Sequence, residues 1–86
     1  MLLEEKTMRL IAVGASVAAN CQPCLQINIT KALEGGIGEA EINDAIEVGK
    51  MVRRGAANKM DKFITNLNPA NAAVVSTGDG GCGCNS

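Results

Sequence analysis

The sequence predicts an all-α domain of three helices, of which the third is much the longest. Apolar residues recur at spacings of three and four along three segments, and Gly35-Gly36 and Pro69 punctuate them. The apolar share is almost entirely aliphatic, with Phe63 as the only aromatic residue, which suits closely packed helices. Eighty-six residues suffice for one small domain. We assign residues 1–68 to this domain and residues 69–86, rich in Gly, Ser, Thr and Asn, to a flexible tail.

The first helix is predicted from about Glu4 to Ala19. Small residues fill its later half, so a neighbouring helix can approach closely there. They are Gly14, Ala15, Ala18 and Ala19. Its apolar stripe is formed by Leu3, Thr7, Leu10, Gly14, Val17 and Cys21.

The second helix is predicted to begin after Asn20, a residue type that caps helix N-termini well. Pro23 then falls in the first turn, where its missing N–H costs little. Both Cys21 and Cys24 therefore lie in the opening turn. The helix is expected to end at Gly35-Gly36, where glycine can adopt a left-handed conformation.

The third helix is predicted to run without interruption from a cap at Gly38 to about Leu67, before Asn68-Pro69 ends it. At about 1.5 Å per residue it would be about 40 Å long, more than two short helices can cover. We therefore expect part of its stripe to face another subunit of a homo-oligomer. The stripe consists of Ile42, Ala45, Gly49, Val52, Ala56, Met60, Phe63 and Leu67.

Composition excludes several classes of function. Nine acidic and eight basic residues nearly cancel, so no electrostatic footprint for nucleic acid or an anionic membrane is present. The longest apolar stretch, Leu10 to Ala19, is too short to span a bilayer, and the first residues lack a leader pattern. These features favour a cytoplasmic protein, in which cysteines are more often catalytic or metal-binding than structural.

The Cys21-Gln22-Pro23-Cys24 motif is the leading candidate site. Two cysteines three residues apart at a helix start lie on one face, where exposed N–H groups and the helix dipole favour a thiolate. Such a pair can cycle between dithiol and disulfide. There are two alternatives for the pair. It could supply half of the ligands of a metal site, or its cysteines could be inert core residues. The chain has no histidine, so Cys-His pairs and mixed Cys/His zinc sites are excluded.

From Leu10 to about Phe63 the sequence resembles the carboxymuconolactone decarboxylase and alkylhydroperoxidase D-like family. The resemblance rests on a small-residue helix, the C-x-x-C motif, a glycine break and a third helix opening in the same order. These segments are residues 12–20, 21–24, 34–37 and 39–42. The resemblance implies an all-helical homo-oligomeric subunit. In the peroxidase branch it implies a cysteine pair that reduces hydroperoxides or a partner's disulfide.

The chain departs from that branch at its proton relay. The branch carries a histidine four residues after the second cysteine, sometimes another between the cysteines, and a glutamate upstream. Asn28, Pro23 and Arg9 stand at those positions. Asn28 is a candidate hydrogen-bond donor to a Cys24 thiolate or a packing residue. Arg9 would stabilise a thiolate or substrate anion if it turned inward, but a solvated arginine is more common.

Glu47 is the candidate substitute proton carrier of the sequence. It is expected at an inward turn of the third helix. Either cysteine is a candidate for the attacking residue. Position at the helix end favours Cys21 as the better exposed thiolate, whereas the resemblance favours the second cysteine, Cys24.

Cys82 and Cys84 form a second pair near the C-terminus. They are candidates for an accessory electron shuttle, for metal binding or for an inert tail.

The predicted function is that of a thiol-dependent disulfide reductase or peroxiredoxin-like antioxidant enzyme without a cofactor, acting on protein or small-molecule disulfides or hydroperoxides. The main alternative is a zinc or iron–sulfur site ligated by Cys21, Cys24, Cys82 and Cys84. A structural oligomer without thiol chemistry is the second alternative.

Overall fold

A computed structural model describes residues 2–67, and that part of the chain is helical without strands. Its three helices are α1 (Glu5–Ala18), α2 (Gln22–Glu34) and α3 (Glu39–Thr65). The predicted all-α class and the single long third helix are both confirmed. The tail predicted for residues 69–86 lies outside the described residues.

Helix α1 lies between the other two helices, which scarcely touch each other. Val13 at its centre is fully buried, and Ala32, Ile37 and Ile42 complete the buried cluster around it. The predicted stripe of α1 omitted Val13. A helix that packs on two sides buries a wider arc than one stripe, and Val13 lies in the part of that arc that the stripe leaves out.

Helices α1 and α3 cross in backbone contact at Gly14 and Gly49. A Cβ atom built on Gly49 would collide with the Gly14 carbonyl oxygen and lie 2.8 Å from the Val17 Cβ. A Cβ on Gly14 would lie 3.0 Å from the Ala45 carbonyl oxygen. The close approach expected from the small residues of α1 therefore occurs, and it requires glycine on both helices.

Helix α2 ends at its glycine pair as predicted. Gly36 has a φ of +83°, and the next residue folds back so that the Ile37 N–H donates to the Ala32 carbonyl at 3.0 Å. The Gly36 N–H donates to the Leu33 carbonyl at 3.0 Å, which completes a Schellman motif. This turn places Ile37 in the core beside Ala32.

The outer half of α3 extends past its packing partners. Its inner half buries Ile42 and Gly49, but every residue from Met51 to Leu67 is exposed. The apolar stripe nevertheless continues along this half, with Phe63 60% exposed. In the described part of the chain, no helix is long and apolar enough to cross a membrane.

Candidate functional site

Cys21 and Cys24 are joined by a disulfide at the start of α2, with their Cα atoms 5.3 Å apart. Cys21 is the N-cap residue, with φ −101° and ψ 97°, and Cys24 lies in the first helical turn. Pro23 stands between them within that turn, where helix geometry requires no N–H donor. The structure therefore places the motif at the helix start, as the sequence predicts.

Asn20 is not the N-cap of α2, and that prediction is wrong. Asn20 has a φ of +57° and ends α1 instead. Its N–H donates to the Val17 carbonyl, and the Cys21 N–H donates to the Ser16 carbonyl, both at 3.0 Å. This is a Schellman motif, and asparagine is one of the few residue types that adopts its left-handed conformation readily. The end of α1 thus fixes the position of the Cys21 backbone.

The two sulfur-bearing residues differ in exposure. Cys24 is exposed, whereas Cys21 is half-buried where the end of α1 meets α2. The expectation that Cys21 is the better exposed residue is therefore wrong. An N-cap position is open to solvent in an isolated helix, but here the turn that begins at Asn20 folds α1 and α2 together around it.

Asn28 binds to α1. Its Nδ2 atom donates to Ser16 Oγ at 3.0 Å, and Ser16 Oγ donates in turn to the Ala12 carbonyl at 2.7 Å. Ser16 is a buried polar residue, 5% exposed, and this chain of bonds satisfies its hydroxyl. In the disulfide form Asn28 is therefore a packing residue between α1 and α2. Its hydrogen bond to a Cys24 thiolate stays a prediction for the reduced form.

Two charged candidates lie away from the pair. Arg9 donates to Glu5 Oε2 at 3.0 Å on the exposed face of α1. It lines a recess with Lys31 and Glu34, near the end of α2 that is remote from the cysteines. Of the two interpretations of Arg9, the structure shows the solvated one, because its i, i+4 carboxylate partner holds it on the surface.

Glu47 points outward as well. It is exposed and forms an ion pair with Lys50 at 3.2 Å. The expected inward turn is wrong because α3 meets α1 through Ala45 and Gly49, on the other side of the helix. Glu47 is therefore no proton carrier for the cysteines in this arrangement.

The structure brings Arg53 to the site, which the sequence did not predict. Its Nη1 atom donates to Asn20 Oδ1 at 3.0 Å and lies 3.5 Å from the Val17 carbonyl oxygen. Arg53 thereby shares an open recess with Cys21. The recess is lined by Ser16, Val17, Asn20, Cys21, Gln22, Leu25 and Arg53. The available signal was the spacing from Gly49, since Arg53 follows it by four residues and so shares its face.

Cys82 and Cys84 lie outside the described residues, so the shuttle and the four-thiolate metal site stay predictions. Within residues 2–67, no three His, Cys, Asp or Glu side chains come together as a metal site. In the form described here, the sulfurs of Cys21 and Cys24 are bonded to each other. A thiolate, not a disulfide, is the form that ligates metal.

The comparisons with known proteins bear on the family. Neither a curated protein nor a solved structure matches the chain. The model of the carboxymuconolactone decarboxylase family matches residues 2–60, which cover all of α1 and α2 and most of α3. The match includes both cysteines and the glycines of the helix crossing, and the chain therefore belongs to the carboxymuconolactone decarboxylase family.

Proposed function

We propose that this protein is a thiol–disulfide oxidoreductase that cycles Cys21 and Cys24 between dithiol and disulfide. The observation that carries the proposal is the disulfide at the start of α2, which joins an exposed cysteine to a half-buried one. A pair that is purely structural has no need of an exposed cysteine. An exchanging pair requires one, because the incoming thiolate must reach a sulfur from solvent.

Reduction begins at the exposed cysteine. A thiolate of an external dithiol attacks Cys24 Sγ, the Cys21–Cys24 bond breaks, and its electron pair remains on Cys21 Sγ. In the mixed disulfide, one sulfur of the reductant is bonded to Cys24 Sγ. The second thiol of the reductant then attacks that reductant sulfur and releases Cys24 as a thiolate. The products are the reduced protein and the oxidised reductant.

Oxidation by a substrate disulfide follows the reverse order. The Cys24 thiolate attacks the substrate, one substrate thiolate leaves and takes a proton from water, and a mixed disulfide remains. Cys21 then attacks Cys24 Sγ and releases the second thiol. Disulfides are the favoured acceptors because their leaving thiolates need little acid assistance, whereas the alkoxide released from a hydroperoxide needs a proton and the chain has no histidine.

The test is a single turnover of the full chain carrying Cys82→Ser and Cys84→Ser. The reduced, desalted protein is mixed with one equivalent of glutathione disulfide and analysed by mass spectrometry. We expect release of both glutathione thiols and formation of the Cys21–Cys24 disulfide. With Cys21→Ser the reaction should stop at one glutathione bound to Cys24, and with Cys24→Ser it should be slow.

Two results would contradict this proposal. A folded protein that stays reduced in excess glutathione disulfide is not an exchanger. Rapid adduct formation at Cys21 in the Cys24→Ser variant would refute Cys24 as the attacking residue. A parallel reaction with cumene hydroperoxide determines whether the peroxidase activity exists, since it should be slower than the disulfide reaction if acid assistance is limiting.

The metal alternative has its own test. Protein purified anaerobically with all four cysteines should be metal-free and contain a titratable dithiol if exchange is the function. Stoichiometric zinc or iron that is lost on Cys21→Ser would favour the four-thiolate site instead. Cys82→Ala with Cys84→Ala should leave disulfide turnover unchanged unless the tail carries electrons to the pair.

We also propose that the partner on the outer half of α3 is a second copy of this chain. The face of α3 that buries Ile42 and Gly49 against α1 continues past α1 with Val52, Met60 and Phe63 exposed. Only five apolar residues are buried within residues 2–67, so the core of one subunit is small. A second copy related by a two-fold axis would present the same stripe, so that the stripes of the two copies would cover each other.

Light scattering after size-exclusion chromatography tests this assembly. The wild-type protein should be an oligomer, and Phe63→Asp should shift it toward the monomer because the interface would bury an unpaired charge. Arg54→Asp, on the opposite side of α3, is the control and should leave the assembly intact. A wild-type monomer at all concentrations would refute the proposal.

A further inference from the structure

We infer that Arg53 is a positioning residue that stabilises the thiolate of Cys21, and so makes Cys21 the leaving and resolving sulfur of the pair. This inference rests on the proposed exchange function and adds a residue that stands far from the motif in sequence. It combines a cation fixed on α3 with a sulfur fixed at the start of α2.

The helix crossing fixes where Arg53 lies. Gly49 lies against the Gly14 backbone so closely that neither position has room for a Cβ atom, and this contact sets the register of α3 on α1. One turn later Arg53 reaches the end of α1, where Asn20 Oδ1 and the Val17 carbonyl accept from its guanidinium. These contacts limit the positions of the cation and keep it in the recess of Cys21.

Within one copy of the chain, the charge of Arg53 is not neutralised by a neighbouring residue. Both of its acceptors are uncharged, and among residues 2–67 no carboxylate lies within 4.0 Å of its guanidinium. The nearest acidic residue along α3, Glu47, is paired with Lys50. Of the residues that line the recess from all three helices, Arg53 is the one with a charged side chain. The Arg53 guanidinium is therefore the one charged group in the recess that would stabilise an anion formed there.

Cys21 is the residue whose sulfur would become that anion. It occupies the N-cap position of α2, where a side chain accepts from the N–H groups of the first turn. Pro23 has no N–H, so the Cys24 N–H is the donor available to it. No such bond is formed in the disulfide form. Opening the disulfide allows the Cys21 thiolate to accept from the helix start, in the recess that Arg53 also lines.

This arrangement divides the work between the two cysteines. An external thiolate attacks the exposed Cys24, and the electron pair of the broken bond moves to Cys21, where the cation is. A better stabilised leaving thiolate departs faster. In the opposite direction the same cation would stabilise the Cys21 thiolate that attacks the mixed disulfide on Cys24. The missing histidine relay is thus not required for resolution.

The test measures alkylation of Cys21 alone. The full chain carries Cys24→Ser, Cys82→Ser and Cys84→Ser, and its rate of reaction with iodoacetamide is followed from pH 5 to 10 by mass spectrometry. We expect Arg53→Gln to lower the rate at pH 7 about tenfold, the low end for an opposite charge nearby because Arg53 is exposed. The plateau at high pH should not fall, since access to the sulfur is the same and a thiolate of higher pKa is the stronger nucleophile.

The controls separate charge from fold. Arg54→Gln removes a neighbouring charge that does not line the recess and should match the parent profile. Arg53→Lys should recover part of the rate at pH 7. Asn20→Gly keeps the left-handed backbone but removes the acceptor of the guanidinium, and it should give an intermediate profile.

A measurement on the parent protein avoids any question of folding. In 1 M potassium chloride the rate at pH 7 should fall toward that of Arg53→Gln, since salt screens exposed charges. Arg53→Gln in the two-cysteine protein should also make the pair less oxidising, by about 30 mV for a tenfold change in the equilibrium constant, at pH 9.

Equal profiles for Arg53→Gln and Arg54→Gln, together with no effect of salt, would overturn the inference. If exchange with glutathione disulfide still proceeds in that case, the proposed function stands and only the role of Arg53 fails. If the profile depends on Arg53 but no exchange occurs, the electrostatic assignment holds and the function fails.

Discussion

One added methyl group at the crossing of α1 and α3 gives a quantitative prediction. In Gly49→Ala the new Cβ would collide with the Gly14 carbonyl oxygen, lie 3.1 Å from its carbon and 2.8 Å from the Val17 Cβ. None of these atoms belongs to a flexible side-chain end, so relief requires the helices to separate. Overpacking of this kind costs about 1–3 kcal/mol, and the rigid neighbours favour the upper part of that range.

Gly55→Ala is the matched control. Gly55 lies on the same helix and a Cβ there would meet nothing within 4 Å. Both substitutions gain the same helix propensity, about 1 kcal/mol, so the difference between them isolates the collision. For a domain of this size, a difference of about 2–3 kcal/mol corresponds to a Tm about 10–20 °C lower for Gly49→Ala than for Gly55→Ala.

Circular dichroism at 222 nm during heating measures both variants at one protein concentration, because assembly would make the Tm depend on concentration. We expect Gly55→Ala to match or exceed the parent and Gly49→Ala to fall below it. Equal Tm values for the two variants would show that α1 and α3 do not meet at Gly49, and would remove the basis for placing Arg53 beside Cys21.

Two further substitutions test the surroundings of the site. Ser16→Ala removes the hydrogen-bond acceptor of Asn28 in a part-buried position, so we expect the free energy of unfolding, measured with denaturant, to fall by about 1–3 kcal/mol. An unchanged midpoint would refute the hydrogen-bonded bridge between α1 and α2. Gly36→Ala forces a left-handed φ on alanine and should lower the free energy of unfolding by about 1 kcal/mol. Gly38→Ala, at φ −72° with nothing within 4 Å of the added Cβ, should lower it less. The reverse order would contradict the Schellman end of α2.

Local rules predicted the helices well. The continuity of α3 through Gly55 follows from its unbroken stripe, and the end of α2 follows from the conformational freedom of Gly36. The placement of Cys21 and Cys24 at a helix start follows from Pro23, which is tolerated there. Each of these depends on a few neighbouring residues, and the sequence contains that information.

The errors at the site arise where two helices meet. Asn20 is suited both to capping a following helix and to ending the preceding one, and only the packing of α1 on α2 decides between them. The exposure of Cys21 depends on the same junction. Arg53 belongs to a basic stretch of α3, and its role depends on the register of α3 on α1, which no local pattern states.

The junction between α1 and α2 also affects how the pair can turn over repeatedly. The bonds from the Asn20 and Cys21 amides to the Val17 and Ser16 carbonyls involve no sulfur, so backbone hydrogen bonds alone can hold the turn when the disulfide opens. The disulfide closes a ring across only three positions, so breaking it frees little unfolded-chain entropy compared with a long cross-link. Under the proposed exchange function, opening and closing the disulfide should therefore demand little reorganisation of the protein.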